Sequence, residues 1–468
     1  MLPLKRDKLK RKHLVNMDDV NNLFRVFAVC CLCVVIQSCA SYGQHAVTMR
    51  DGLLTGRPDL SLAIAEKKDL EQEEVISSLD KGMLRRMTDD YRGSNQVLEV
   101  AKQQIEKLYG ISISENLASV TINDTLRGYE GDRYEQLLLH AYMAMNYIQL
   151  GEMDSARVEM LQANVKMMEW GEEPEEDAFV RYLEGIIYEA LGEYDSALIS
   201  YRKAYTVYKE KGGAQYPVTP IALKKDLLRL LAWQGLWSEY ENHKKEFSLT
   251  GFQPYKASSK FGEVVIILNN GLAPIRSESA LPIFSAEVQR NLRVAFPVYK
   301  EPKKTLFLPQ VIINQEPYLL ETVEDIDALA RYSLEQAMAG IMARATARAV
   351  VKYNTQHTAN ENSSIAGLLM TVTNLITERA DTRSWTTLPQ EIQLQRILLP
   401  VGQHQIRIQM TNVAGQVVDV MEETVEIKPK NISFVIKHWN TPVPKQIEAG
   451  NQADKQSDKQ SDKVTASK

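Results

Sequence analysis

Beyond residue 39 the chain contains no cysteine; its four thiols, Cys30, Cys31, Cys33 and Cys39, lie within ten residues of one another. The rest of the sequence therefore has no thiol for a disulfide, a metal or a nucleophile. Its seven histidines, His13, His45, His140, His243, His357, His404 and His438, are scattered, and no two share the spacing of a metal-ligand pair. There is no glycine-rich phosphate loop and no nucleophile elbow. Acidic residues outnumber basic ones 60 to 55, a net charge of −5. The first 38 residues carry seven Lys/Arg against three Asp/Glu, which leaves the remainder near −9. Such a balance argues against nucleic acid as the main partner, since phosphate binding needs clustered positive charge. These absences predict no catalytic residue, no metal and no cofactor.

Long apolar runs are lacking as well. Residues 26–36 form an apolar stretch of eleven residues, against the roughly 20 that a spanning helix needs. Eleven does suit the core of a signal peptide, and a basic segment (Lys5, Arg6, Lys8, Lys10, Arg11, Lys12) precedes it. The stretch ends in Ile36-Gln37-Ser38-Cys39-Ala40, which resembles the lipobox of bacterial lipoproteins. By that resemblance residues 1–38 are a signal peptide, with Met1 or Met17 as the start. Cys39 is then the lipid-attachment residue, and its acyl chains anchor the protein without a transmembrane helix. Ala40 and Ser41, with no aspartate, imply the outer membrane by the same resemblance. Residues 39–55 are polar and read as a tether.

What the chain does have is a repeat. Gly185, Tyr188, Gly192, Tyr194, Ala197, Tyr201 and Ala204 stand at the spacing of a tetratricopeptide repeat, a helix–turn–helix unit that stacks on copies of itself. A copy lies 41 residues earlier at Ala144, Tyr147, Gly151, Met153, Ala156, Met160 and Ala163; both contain Leu-Gly-Glu-x-Asp-Ser-Ala. A weaker copy follows at Leu228, Leu231, Gly235, Trp237 and Tyr240, and a degenerate first copy precedes them between Val75 and Leu108. The glycines at 151, 192 and 235 are 41 and 43 apart, against about 34 in the usual unit, so helices or linkers are longer. The acidic run Glu172-Glu173-Pro174-Glu175-Glu176 reads as one such linker.

After Gly251 the pattern changes. Residues 264–268, followed by Asn269-Asn270-Gly271, read as a buried strand and turn, with further strands at 292–299 and 306–313. Residues 323–353 are alanine-rich and helical, with 365–377 as an antiparallel partner across a polar loop at 357–364. Four strands follow at 392–399, 404–410, 417–427 and 432–438, which suggests a small β-sandwich. The expected fold is thus α+β and multidomain. A helical tetratricopeptide-like repeat domain over 56–250 leads into a mixed strand and helical-hairpin region over 251–390, a β-rich domain over 391–440 and a disordered tail over 441–468.

The binding candidates follow from this architecture. A repeat stack usually holds an extended peptide or helix in its groove, which points to Tyr147, Tyr188, Tyr194 and Tyr201. Arg344, Arg348 and Lys352 make a cationic stripe that reads as a solvated helix face. Asp381, Arg383 and Trp385 form a corner, with Trp385 packing the helical pair onto the sheet or marking a binding site. Taken with the lipobox, the repeats, VVIILNNG at 264–271, DTRSW at 381–385 and LLPVG at 398–402, the chain resembles a family of bacterial tetratricopeptide-repeat outer-membrane lipoproteins without an assigned activity. The resemblance implies a lipid-anchored scaffold facing the periplasm, with a protein partner in a cell-envelope complex. An envelope hydrolase or glycan-modifying protein, or a carrier of small apolar or glycan ligands, is the alternative.

Overall fold

All three glycines singled out by the repeat spacing have left-handed backbones: Gly151, Gly192 and Gly235 have φ of 74, 78 and 73°. Each closes its helix with the same two bonds, as in Glu152 N to Tyr147 O at 2.8 Å and Gly151 N to Ile148 O at 3.0 Å. This is the Schellman arrangement, which satisfies the helix's orphan carbonyls at a residue without a Cβ penalty. In this computed structural model the described residues are 42–66, 74–115, 128–170, 176–255, 258–300, 307–362 and 379–440. Cys39, the signal segment, Glu172 to Glu175, the expected helix at 365–377 and the tail at 441–468 lie outside them.

The helical pairs are α3 (Glu74–Met87) with α4 (Tyr91–Glu115), and α5 (Arg133–Gln149) with α6 (Met153–Glu169). Next come α7 (Ala178–Ala190) with α8 (Tyr194–Lys211), and α9 (Ile221–Trp233) with α10 (Trp237–Glu246). The first pair turns through the same two bonds, Asp90 N to Arg85 O and Asp89 N to Arg86 O. There Asp89, at φ 62°, occupies the glycine's position. Gly185 marks the closest approach within its pair, because a Cβ there would stand 2.4 Å from the Tyr201 ring.

Two helices precede the pairs, α1 (Tyr42–Leu54) and α2 (Pro58–Glu66). The expected tether at 39–55 is therefore corrected: from Tyr42 onward it is helix. Met49 and Leu53, one turn apart, are buried. Between them, Arg50 donates to the carbonyl oxygens of Ala273 at 2.6 Å and Leu272 at 3.3 Å. The chain divides into Met1–Thr48, described only for the start of α1, and a second unit, Met49–Lys468.

The strands are β1 (Phe261–Asn270), β2 (Arg276–Ser285), β3 (Arg290–Tyr299), β4 (Phe307–Ile313) and β5 (Glu316–Leu319). They continue as β6 (Glu321–Asp325), β7 (Glu391–Pro400), β8 (Gly402–Asn412), β9 (Val417–Ile427) and β10 (Ile432–Trp439). One sheet has the order β10-β1-β7-β6, a second β5-β4-β8-β9, and β2-β3 form a hairpin. The two larger sheets share a core of Val264, Ile266 and Leu268 with Val311, Ile397, Leu399, Ile406, Ile408 and Met410. On β8 the alternation of Ile406, Ile408 and Met410 with exposed polar residues marks a sheet with one wet face. On β1 every residue after Phe261 is buried; a continuous apolar run of this kind belongs to a strand covered on both faces.

The expected boundary at 390/391 is corrected for that reason. β1 lies between β10, in parallel register, and β7, antiparallel, so the sandwich draws strands from both sides of the boundary. The bounds of the expected helix at 323–353 are corrected too, while its expected partner at 365–377 lies outside the described residues. Residues 321–325 pair with β7, and α11 (Ile326–Asn362) runs through the expected loop at 357–362. Its sequence has no proline, and Asp325 Oδ1 accepts from Ala328 N at 3.0 Å to start it. The β2-β3 hairpin packs on α11 through Leu292 and Val294 against Ala345 and Ala349.

Gly185→Ala should lower unfolding free energy by about 1–3 kcal/mol through overpacking against Tyr201. Asp89→Gly should raise it by up to about 1 kcal/mol by relieving the left-handed position. Urea denaturation of each variant checks both signs.

Candidate functional site

First helices meet the sheet, α5 at β10, α7 at β6 and α9 at β7, and Tyr208 of α8 also reaches it, donating to Val323 O of β6 at 2.5 Å. All of α7 from Ala178 to Glu189 is buried, and so is nearly all of α5. Tyr142 of α5 donates to Asn269 Oδ1 of β1 at 2.9 Å and stacks on His438 of β10. At the other end, Glu321 of β6 accepts from Ile221 N at 2.9 Å and Ala222 N at 2.8 Å. A carboxylate at those amides complements the N-terminus of α9. The expectation that this face holds a foreign peptide is thereby corrected: among the described residues it is covered by the chain's own sheet.

The candidate tyrosines do not converge on a groove. Tyr201 is fully buried, its hydroxyl donating to Glu189 Oε2 at 2.8 Å and its ring edge-on to Tyr182. Tyr188 is buried and Tyr147 half-buried, and their carbonyls close the turns of α7 and α5. Tyr194 is exposed and meets the Trp233 ring edge-on at 5.8 Å.

The DTRSW segment is a buried corner. Arg383 forks onto Asp381 at 2.9 and 2.6 Å, and its guanidinium lies over the Tyr129 ring. Trp385 is buried edge-on to Tyr142, and its backbone N–H donates to Glu135 Oε1 at 2.8 Å. Thr387 then donates to Asp80 Oδ1 of α3 at 2.9 Å. The tryptophan thus fastens the sheet to the repeat array; the second helix of the expected pair, at 365–377, lies outside the described residues.

Three polar clusters sit in this helix–sheet junction. The largest centres on Arg396 of β7. It reaches Glu189 of α7 at 2.8 and 2.9 Å, Asp226 of α9 at 3.3 Å and Glu263 of β1 at 2.6 Å. Arg229 joins the same carboxylates, meeting Glu189 and Asp226 at 2.9 Å each. Tyr182 donates to Asp226 and Tyr255 to Glu263. Burial raises the cost of ionising Glu189, but the two guanidiniums outweigh it and hold its carboxyl well below the usual range. Sequence reasoning missed these residues, because each is an ordinary charged residue until the fold brings four elements together.

A second cluster joins Arg86 of α3 to Asn146 and to His438 Nε2, the latter at 2.9 Å, over the ring of Tyr142. Burial and the neighbouring guanidinium push His438 far below its ordinary value, so it is a neutral acceptor. The third holds Glu324 of β6, fully buried with no ion-pair partner among the described residues and only the Phe179 backbone N–H beside its carboxyl. Burial first, then Asp177 and Asp325, raise it well above the carboxylate range. Asp177 caps α7 through Val180 N at 2.8 Å and is pushed up to about 6, chiefly by burial. Glu135, in the capping box of α5, is also buried and also pushed up to about 6.

Beside Arg396, between α9 and β7, lies a cavity of about 520 Å³ whose walls include Ile221, Phe252, Leu319 and Leu398. Among the described residues no three His, Cys, Asp or Glu side chains group as metal ligands.

Removing the guanidinium in Arg396→Met should cost about 3–5 kcal/mol, since it strands buried carboxylates, and thermal denaturation reads the loss. The acids raised by burial bind extra protons in the folded state. The share of unfolding free energy that Asp177 and Glu135 contribute should therefore fall as pH rises from about 4, the unfolded value, through about 6. It is opposite in sign to the share of Glu189, which is lost as pH falls. Glu324→Gln should flatten the part of the decline that continues above that window and raise the melting midpoint at alkaline pH.

No protein-family model matches the sequence, and no curated protein matches it. Among solved structures it is similar to MamA AMB-1, at 14% identity and TM-score 0.28, covering 44% of this chain and 90% of that chain. It is also similar to a MamA RS-1 double mutant, at 11% identity and TM-score 0.29, covering 45% and 98%. A kinesin light chain of Podosopora anserina with nearly identical TPR-like repeats aligns at 13% identity and TM-score 0.30, covering 44% and 93%.

Proposed function

We propose that this protein is an interaction scaffold of the cell envelope, lipid-anchored at Cys39, whose repeat array presents its outward helices to a protein partner. The observation that carries the reading is on α6. Val158, Leu161, Val165 and Met168 are 46, 46, 54 and 68% exposed. Their spacing of three, four and three residues is the seam that a helix offers to another helix. The opposite stripe, Ala156, Met160, Ala163 and Met167, is buried in the array. One helix therefore has two apolar faces, and the fold covers only one. Val100 on α4 and Ile199 on α8 add exposed apolar surface on the second helices of the neighbouring pairs.

The lipid anchor supports the same reading by keeping the array beside the membrane. Acyl chains at about 0.8 kcal/mol per buried CH₂ hold a soluble body there firmly when two or more are attached. The envelope setting and a site facing the periplasm from the outer membrane rest on the lipobox alone.

A photo-crosslinking residue at Leu161 or Met168 is expected to give a discrete adduct in intact cells, whereas one at exposed Val413, in the turn between β8 and β9, gives none. The paired change Leu161→Lys and Val165→Lys should abolish the Met168 adduct while shifting stability by no more than about 0.5 kcal/mol, as exposed positions do. Equal cross-linking at all three sites would contradict the reading. Cys39→Ala should move the protein from the membrane fraction to the soluble one and stop acyl labelling; retention in the membrane would contradict the anchor.

A further inference from the structure

β7 is paired along its whole length on one side only. β1 matches it from Glu391 to Pro400, whereas β6 reaches only Glu391 to Leu394 on the other side. From Gln395 to Pro400, no strand among the described residues occupies that second side. In an antiparallel ladder alternate residues direct both N–H and C=O to the same neighbour. The Arg396 N–H donates not to β1 but to the side-chain Oε1 of Gln395 at 2.9 Å, which identifies Arg396 and Leu398 as residues facing the open side.

Gln395 stands in for the missing strand. Its carboxamide accepts from Arg396 N, and its Nε2 donates to Leu319 O at 2.7 Å. The side-chain oxygen thus fills the acceptor place that a neighbouring strand would offer to Arg396 N, while Nε2 ties the side chain to the end of β5. Immediately along this edge lies the cavity of about 520 Å³, lined by Leu398, Leu319, Ile221 and Phe252, with Lys225 and Glu321 also on its wall. An unpaired edge is a template for another strand, and here it opens onto apolar walls that would receive that strand's side chains.

We propose that the edge of β7 from Gln395 to Pro400 binds an extended polypeptide segment, free of proline and with apolar residues at alternate positions, as an added strand beyond the end of β6. The segment displaces the Gln395 carboxamide, bonds the backbone of Arg396 and Leu398, and places alternate side chains between β7 and α9. Backbone bonds would provide affinity and the cavity selectivity. The proposal rests on the scaffold reading but uses a different surface from the α6 seam.

The test uses the full chain and random dodecapeptides displayed on phage, from which an enriched peptide is synthesised. Methylating its edge-facing amides should weaken binding about tenfold for each lost bond, and the peptide should slow hydrogen exchange at Arg396 and Leu398. Gln395→Ala removes the competing carboxamide and should tighten binding several-fold. Failure to enrich any peptide overturns the proposal, as does binding indifferent to amide methylation with no protection at Arg396 and Leu398. Adducts at Leu161 that persist after either failure would leave the scaffold reading standing, so the two can fail separately.

Discussion

β1 imposes the constraint on which the architecture depends. Its Val264, Ile266 and Leu268 belong to the core shared by the two sheets, and Val265 and Ile267 between them are equally buried on the other face. A strand apolar on both sides needs a layer on each, and the repeat array supplies the second, chiefly through its first helices. The repeats therefore make the third layer of a helix–sheet–sheet stack. Their usual binding face became an internal surface, which leaves the outward helices and the open edge of β7 as the surfaces proposed above for partners.

Closing that face placed charge where water is scarce. Arg396 meets Arg229, Glu189, Asp226 and Glu263 in one cluster of five side chains, none more than 8% exposed. Buried ion pairs add little net stability over apolar packing, yet breaking one is costly. Bonds from Arg396 to α7, α9 and β1 at once suit it to fixing the register of array against sheet. Glu324 does the opposite: a buried acid with no cation beside it among the described residues makes the junction sensitive to pH. Arg86 needs no carboxylate because a neutral histidine, an amide and two tyrosine rings surround it.

Periodic features were legible in the sequence, and features assembled from distant residues were not. Gly151, Gly192 and Gly235 announce their turns because only one residue type suits the left-handed position without strain. Asp89 hides the first turn by doing the same job with a side chain. The run at 264–268 correctly indicates a buried strand, but periodicity says nothing of what covers it. β2, with Arg276, Ser277, Glu278 and Ser279, lacks the apolar alternation of a strand and is held by β3 and α11. The tether was misread because Arg50 is polar in sequence yet anchored to Leu272 and Ala273. The DTRSW string was recognised as a corner, but its partner helix could not be read from order along the chain. Arg396, Glu189, Asp226 and Glu263 carry no motif, since their meaning is purely spatial.

The central claim is that array and sheet form one cooperative body through the first helices. Hydrogen exchange of the intact protein across increasing urea tests it directly. Amides of α5, α7 and α9 should lose protection at the same urea concentration as those of β1, as a single unit does. Loss of protection in these helices at lower urea, with β1 still protected, would contradict it.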